Sequence, residues 1–338
     1  MSETHIDNLN NIFLNIYIMS INIEANITTE SSNVDKNDKR CAPTNKFEFG
    51  SCIRLKVLVE MARAYNSMFP DSEIKLDDTI ETLNPQKYKK YLIKNFKDKL
   101  KNKCKTQKCW SEQSFIKNMQ NAYKEELEKY TWRPSGPDKG NEWLNTLNID
   151  GVMKQYEKKY PDFKYLGTMP RDWLDHDELA HSEEHYSNLI KGGKYRFGMV
   201  YNTDKLGGRG EHWNGLFANA KTGEIYFFDS YGVQPNKDVR KHMRLLARTF
   251  EKNCDKIKAD YNKTNLMGGD DEGKSCDKIK EKVNETKHQR KGSECGVYSL
   301  HFIISMLGGK TFEEHNKTRI SDDEVNKYRA VFFRGDGQ

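Results

Sequence analysis

The chain has 338 residues, with 56 Lys and Arg against 50 Asp and Glu, a formal net charge of +6 and a hydrophobic content of 36%. That length holds one large core or two modest ones, and 11% aromatic residues set it apart from disordered chains of similar charge. The most apolar early stretch, from Ile12 to Ile23, is broken by Asn15, Ser20 and Asn22 and follows no basic region; it is too short to span a bilayer, so neither a signal peptide nor a membrane anchor is expected.

Residues 1–40, rich in Asn, Ser and Glu, read as a disordered tail. Residues 41–130 read as a mainly helical accessory domain. Leu55, Leu58, Val59, Ala62 and Tyr65 follow helical spacing, and Leu92, Phe96 and Leu100 repeat every four residues within Lys87–Lys108, a stretch of ten lysines and one acidic residue. An amphipathic helix with a solvated lysine face is the plain reading; a surface for DNA or another acidic partner is the sharper one. The Pro/Gly-rich stretch from Trp132 to Gly140 reads as a linker into a domain over residues 131–338.

In that domain Ile149, Val152, Met153 and Tyr156 mark a helix. Arg196 to Asn202, Trp213 to Asn219 and Glu224 to Phe228 read as strands, the last two joined by the turn Lys221-Thr-Gly223. A hairpin there brings its outer ends, His212 and Asp229, side by side. After Pro235-Asn236 a helix buries Val239, Met243, Leu246 and Phe250. The apolar run from Cys295 to Leu307, closed by Gly308-Gly309, reads as a buried central helix with Cys295 at its N-terminus, and Ser321-Asp-Asp-Glu324 as a capping box opening a last helix. Helices around a small, mainly antiparallel sheet make an α+β domain.

Four of these residues form a chemical set. Cys295 suits a nucleophile, since unpaired N–H groups and the dipole at a helix start favour a thiolate. His212 can take its proton, Asp229 can orient the imidazole, and the Gln289 side-chain amide can donate to a developing oxyanion. Gly296 leaves room beside the thiol for a substrate backbone. Any one of them alone reads as packing or turn chemistry; their order and context together carry the reading.

The segments Gly-Glu-His212-Trp, Phe-Phe-Asp229-Ser, His-Gln289 and Ser-Glu-Cys295-Gly-Val-Tyr resemble the adenain-like cysteine proteases. These include SUMO-deconjugating enzymes, the adenovirus maturation protease and the polyprotein-processing proteases of giant nucleocytoplasmic large DNA viruses. The resemblance covers about residues 130–335 and takes in Trp132-Arg-Pro-Ser-Gly-Pro137, Trp143-Leu-Asn-Thr and Phe163 to Pro170; Cys41-Ala-Pro and Ser51-Cys-Ile match the N-terminal region of such viral proteins more weakly. It implies a papain-like, adenain-type core with a mixed or antiparallel sheet and a buried helix carrying the nucleophile. It further implies endopeptidase action on viral structural polyproteins after Gly during virion maturation, with SUMO or ubiquitin-like deconjugation as the alternative. Indoles at positions such as Trp213 and Trp143 cover the entering substrate strand in that family. The expected setting is the virion interior or the host cytoplasm (viral factory), as a monomer with a protein substrate, no membrane and no cofactor. The charged stretch from Asp255 to Lys282 reads as an insertion before the His-Gln strand.

Other chemistry is weaker. His181-Ser-Glu-Glu-His185 matches an inverted zinc-protease motif, but it is short, lies in a highly charged stretch and has no distal ligand, so no metal is expected. The seven cysteines, Cys41, Cys52, Cys104, Cys109, Cys254, Cys276 and Cys295, are odd in number and spaced irregularly for zinc; they are expected as thiols rather than a disulfide framework. The sequons at Asn26, Asn262, Asn284 and Asn316 are then chance matches.

Overall fold

The computed structural model describes residues 36–176, 182–264, 276 and 278–335. The expected disordered tail falls outside them except for residues 36–40, as does His181 of the zinc-like motif. The chain divides into two compact units, one ending at Trp132 and one beginning at Arg133.

The first unit is helical. α1 (Leu55–Met68) buries Val57, Leu58, Met61, Ala62 and Tyr65, the face its spacing predicts. α2 (Pro85–Leu100) starts with Pro85 at a position where a missing N–H costs nothing, and the Asn84 side chain accepts from the Lys87 amide at 3.1 Å. It turns Tyr88, Leu92, Phe96 and Leu100 inward, and Phe96 meets Tyr65 and Phe115 in a ring cluster with α1. α3 (Asn121–Tyr130) adds Leu127. α2 ends at Leu100, well before Lys108, and one of its lysines departs from the solvated face: Lys89 is buried, donates from Nζ to the Ser51 carbonyl at 3.1 Å, and has its pKa lowered by that burial.

The cysteine expectation is overturned. Cys41–Cys52, Cys104–Cys109 and Cys254–Cys276 are disulfides with Cα separations of 5.2, 5.4 and 5.5 Å, inside the range a bridge spans. The odd count misled, because six cysteines pair and the seventh, Cys295, stays free.

In the second unit the capping box of Asn145 and Asn148 opens α4 (Thr146–Lys159). A five-stranded sheet follows in the order β1 (Phe163–Pro170), β2 (Arg196–Asn202), β3 (Trp213–Asn219), β4 (Glu224–Phe228), β5 (Lys280–Val283). β1 runs parallel to β2, β2–β3–β4 are antiparallel, and β5 runs parallel to β4. The sheet is therefore mixed, its two outer strands joining in parallel. Val200, Phe217, Tyr226 and Phe228 point into one core, while their neighbours Met199, Leu216, Ala218, Ile225 and Phe227 point into another. Successive side chains of a strand face opposite ways, so both faces are covered and the middle of each central strand is apolar.

One face carries α8 (Cys295–Leu307), buried nearly all round, against α4. The other carries α5 (Glu183–Lys191) and α6 (Lys237–Lys252), with α7 (Cys254–Thr264) beyond. α6 is capped by Asn236 and buries Val239, Met243, Leu246 and Phe250 as expected. The chain closes with α9 (Phe312–Asn316), α10 (Asp322–Lys327), opened by the Ser321–Glu324 capping box, and α11 (Arg329–Phe332). The Trp132–Gly140 stretch is not a free tether along its length: Pro134 accepts from the Arg334 amide, and Ser135 bridges Arg334.

Candidate active site

The site is built where three elements end. The β3–β4 hairpin pairs Gly215 with Phe228 and Asn219 with Glu224, which sets the residue before β3 beside the residue after β4. His212 Nε2 lies 3.1 Å from Asp229 Oδ1. Asp229 is buried, and its place is fixed from several sides. Its Oδ1 accepts from the Tyr231 amide at 2.7 Å. Its backbone exchanges two bonds of 2.8 Å with the Asn284 side chain, donating from N and accepting at O. With the Asn214 amide turned so that its nitrogen faces the carboxylate, that nitrogen donates to Asp229 Oδ2 at 3.1 Å. The Tyr231 ring lies over the imidazole at 4.8 Å between centroids.

With Nε2 turned to the carboxylate, Nδ1 is left for the Cys295 sulfur, and the two side chains interact. Burial works to lower the His212 pKa, but the Asp229 carboxylate and the Cys295 sulfur outweigh it and push the pKa up to about 9. Cys295 is the first residue of α8 and is covered to 1% exposure. The Ser299 hydroxyl, one turn on, lies 3.0 Å from the Cys295 carbonyl and 3.2 Å from the Trp213 carbonyl, tying α8 to β3.

Gln289 belongs to no strand, against expectation; β5 ends at Val283, and the chain then runs on as an irregular segment. It is anchored by the His288 and Gln289 amides, both donating to the Ser230 carbonyl at 2.8 Å. The Ser230 hydroxyl donates to Gln289 Oε1 at 2.6 Å, and Gln289 Nε2 donates to the Lys291 carbonyl at 2.7 Å. These two bonds fix which end of the amide is which, and they leave one N–H of Nε2 to spare.

A cleft of about 840 Å³ is lined by Trp143, Trp213, Met169 and the loop from Asp204 to Glu211, and so takes in the residues on either side of His212. Gly207 and Gly210 sit at φ of +82° and +80°, a conformation glycine takes at no steric cost. Trp143 is 52% exposed, whereas Trp213 is buried and donates from its indole nitrogen to the Leu144 carbonyl at 2.8 Å. Gly296 faces the same residue: a Cβ there would stand 3.0 Å from Leu144 Cβ.

The four residues of the sequence reading are thus drawn to one end of the sheet; Trp213 and Gly296 both pack on Leu144, and Trp143 stands on the cleft wall, whereas the space beside Gly296 read as room for a substrate backbone is filled by Leu144. Sequence reasoning passed over Asn214, Tyr231, Ser230 and Asn284. The first three lie within two residues of Trp213 or Asp229, which was the available signal; Asn284 carried none. A thiolate zinc site from Cys41, Cys52, Cys104 and Cys109 is excluded by their disulfides, and among the described residues no group of three His, Cys, Asp or Glu side chains is placed to hold a metal. Among the described residues no helix is long and apolar enough to cross a membrane.

Comparison with known proteins gives the family. The model of the Ulp1 protease family, C-terminal catalytic domain, matches residues 202–334. A protein of Acanthamoeba polyphaga mimivirus, provisionally named a thiol protease, is 31% identical over 296 residues, covering 85% of this chain and 90% of that one. A SUMO-1 cysteine protease of African swine fever virus is 25% identical over 220 residues, covering 60% and 72%. A crystal structure of an African swine fever virus protease shares the fold, with a TM-score of 0.53 at 20% identity over 88% of this chain and 96% of that one. The chain is a cysteine peptidase and belongs to the Ulp1 protease family.

Proposed function

We propose that the protein is an endopeptidase that cleaves viral structural polyproteins after Gly during particle maturation, in the virion interior or the viral factory, with Cys295, His212 and Asp229 as its triad and Gln289 as an oxyanion donor. The observation that carries the reading is the 3.1 Å contact of His212 with Asp229 beside a free cysteine at a helix start. Cys295 reacts as a thiolate after its proton passes to His212. The Cys295 thiolate attacks the scissile carbonyl carbon, and the carbonyl oxygen takes up the electron pair, facing the Cys295 backbone N–H and the spare N–H of Gln289. As the tetrahedral intermediate collapses, the C–N bond breaks and the imidazolium gives its proton to the leaving amine. Neutral His212 then takes a proton from water, whose oxygen attacks the thioester. The second tetrahedral intermediate collapses with cleavage of its C–S bond, the acid product leaves, and the Cys295 sulfur recovers its electron pair beside His212, which holds the proton taken from water.

A preference for Gly before the scissile bond is supported by the two indoles on the cleft. In this reading Trp213 and Trp143, which both line the cleft, wall a slot in which a side chain would meet an indole. A second reading, removal of a SUMO- or ubiquitin-like protein, is favoured by the name of the swine fever virus relative. One panel tests both. Gly-Gly-x, Gly-Ala-x and Ala-Gly-x peptides, cleaved after the second residue, are compared by kcat/KM with SUMO and ubiquitin fluorogenic conjugates. Fast cleavage of Gly-Gly-x and Ala-Gly-x with rejection of Gly-Ala-x supports the first reading. Equal rates on Gly-Ala-x and Gly-Gly-x remove the slot, and turnover of the conjugates alone favours deconjugation.

A further inference from the structure

The turn that leads into the nucleophile is built around buried charge. Glu294, the residue before Cys295, is fully buried, and its carboxylate does not touch the imidazole. It folds back to accept from the Ser293 amide and hydroxyl, each at 2.9 Å, and from Asn326 Nδ2 at 3.1 Å. Asn326 sits at the end of α10, and its Oδ1 accepts from Arg329 Nε at 2.8 Å. Arg329 is likewise fully buried and donates from Nη2 to the Ser293 carbonyl at 3.3 Å. Guanidinium and carboxylate form no ion pair within 4.0 Å; Asn326 and the Ser293 backbone join them. The far end of the same loop is held too, since the Asp322 carboxylate accepts from the Arg290 amide at 3.1 and 3.2 Å.

Burying a charge costs several kcal/mol unless its partners are well placed, and an apolar side chain would fill the space under α8 more cheaply. What an apolar residue cannot do is hold a carbonyl and an amide oxygen at fixed angles. The peptide that follows Ser293–Glu294 supplies the Cys295 N–H, and its own carbonyl is already taken by the Tyr298 amide at 2.9 Å. Its tilt is therefore set by the helix on one side and by the Ser293–Glu294 turn on the other.

We propose that Arg329 is a positioning residue for acyl transfer: together with Asn326 it braces the Ser293–Glu294 turn, so that the Cys295 amide points at the oxygen of the substrate carbonyl. Gln289 and Cys295 then have their donors fixed by different devices. Ser230 holds the first from the sheet, and the α10–α11 segment holds the second from the C-terminal end of the chain. The inference rests on the thiol mechanism above and is separable from it. Iodoacetamide needs the thiolate but no oxyanion donor, and a misplacement of about 1 Å near the reacting atoms costs up to roughly 10²-fold in rate.

The test is steady-state kinetics on a Gly-Gly-x peptide, beside the rate of Cys295 alkylation, in Arg329→Met and Asn326→Ala. Asn326→Ala removes no charge and lies at a half-buried position, so it decides the matter if Arg329→Met does not fold. Expected are a kcat roughly 10- to 100-fold lower for Arg329→Met and about 10-fold lower for Asn326→Ala, with KM and the alkylation rate each within about twofold of the parent. Arg329→Lys, which keeps the charge and loses the planar fork, should not restore kcat. Wild-type kcat in a folded variant, a change confined to KM, or a kcat loss matched by an equal loss of alkylation overturns the proposal. Cys295→Ala with full activity would instead overturn the mechanism on which it rests.

Discussion

Removing the Asp229 carboxylate should move the alkaline limit of activity. Its charge and that of the Cys295 sulfur hold the His212 pKa at about 9 against a burial that pulls the other way. In Asp229→Ala the burial remains and one of the two counterweights is gone, so the imidazole pKa should fall from about 9 toward its ordinary value of about 6.5. At pH 8 the protonated fraction of His212 is about 0.9 at a pKa of about 9 and about 0.03 at about 6.5, so the supply of imidazolium for the leaving amine should drop by up to roughly 30-fold from population alone. Misorientation of the ring adds to that loss. The assay is kcat/KM on a fluorogenic Gly-Gly-x peptide from pH 5 to 10, with iodoacetamide alkylation of Cys295 over the same range. The parent should hold its kcat/KM to about pH 9 and the variant should begin to lose it at lower pH, whereas alkylation, which needs only the thiolate, should not fall with rising pH in either. Stability carries the same sign. The raised pKa contributes fully below pH 6.5 and is lost as pH rises through 9, an effect of about 3 kcal/mol. An alkaline limb that stays at pH 9 in Asp229→Ala would refute the reasoning.

Three further outcomes follow from other parts of the molecule. Gln289→Ala should lower kcat by roughly 10²–10³-fold with KM little changed, and Ser230→Ala, which frees the amide to rotate, should lower it in the same direction by less; a defect in KM alone would make Gln289 a binding residue. His301 and His315, packed at 5.1 Å between ring centroids, are pulled down to about 3 and about 2, burial being the largest cause. Stability should therefore fall as pH drops below 6.5, by about 2 kcal/mol for each histidine at pH 5, and thermal melts flat from pH 7 to 5 would contradict this. Neutralising Lys94, Lys97, Lys101 and Lys105, all exposed, should leave cleavage of a short peptide unchanged. If an acidic partner such as DNA uses this face, its affinity should fall steeply with salt and fall further in the variant, whereas salt-independent binding would return the lysines to a plain solvated surface.

The parts legible in the sequence were those whose signals are local. Lys221-Thr-Gly223 between two apolar strands gives the hairpin, and the hairpin gives the meeting of His212 and Asp229. The apolar run ending at Gly308-Gly309 gives α8, and α8 gives the placement of Cys295. Less legible were the outer strands. β1 lacks alternation, carries Gly167 at φ +115° and slips register between Tyr165 and Thr168. β5 is Lys-Glu-Lys-Val, a polar edge that becomes a strand only by lying along β4. The supports of the site were hidden for a similar reason. Asn284 lies 55 residues from Asp229, and the disulfide partners are matched only by the fold, so no spacing announces either. A cysteine count can show that one thiol is left over, and here the one left over is Cys295.

The claim that one thiol does the chemistry is tested most directly by mapping where iodoacetamide reacts near neutral pH without reductant, while residual cleavage is followed in the same sample. The account predicts label on Cys295 alone, activity lost in step with the fraction labelled, and labelling slowed strongly in His212→Ala. Stoichiometric label on Cys295 with full activity, or loss of activity with Cys295 unlabelled, would contradict it.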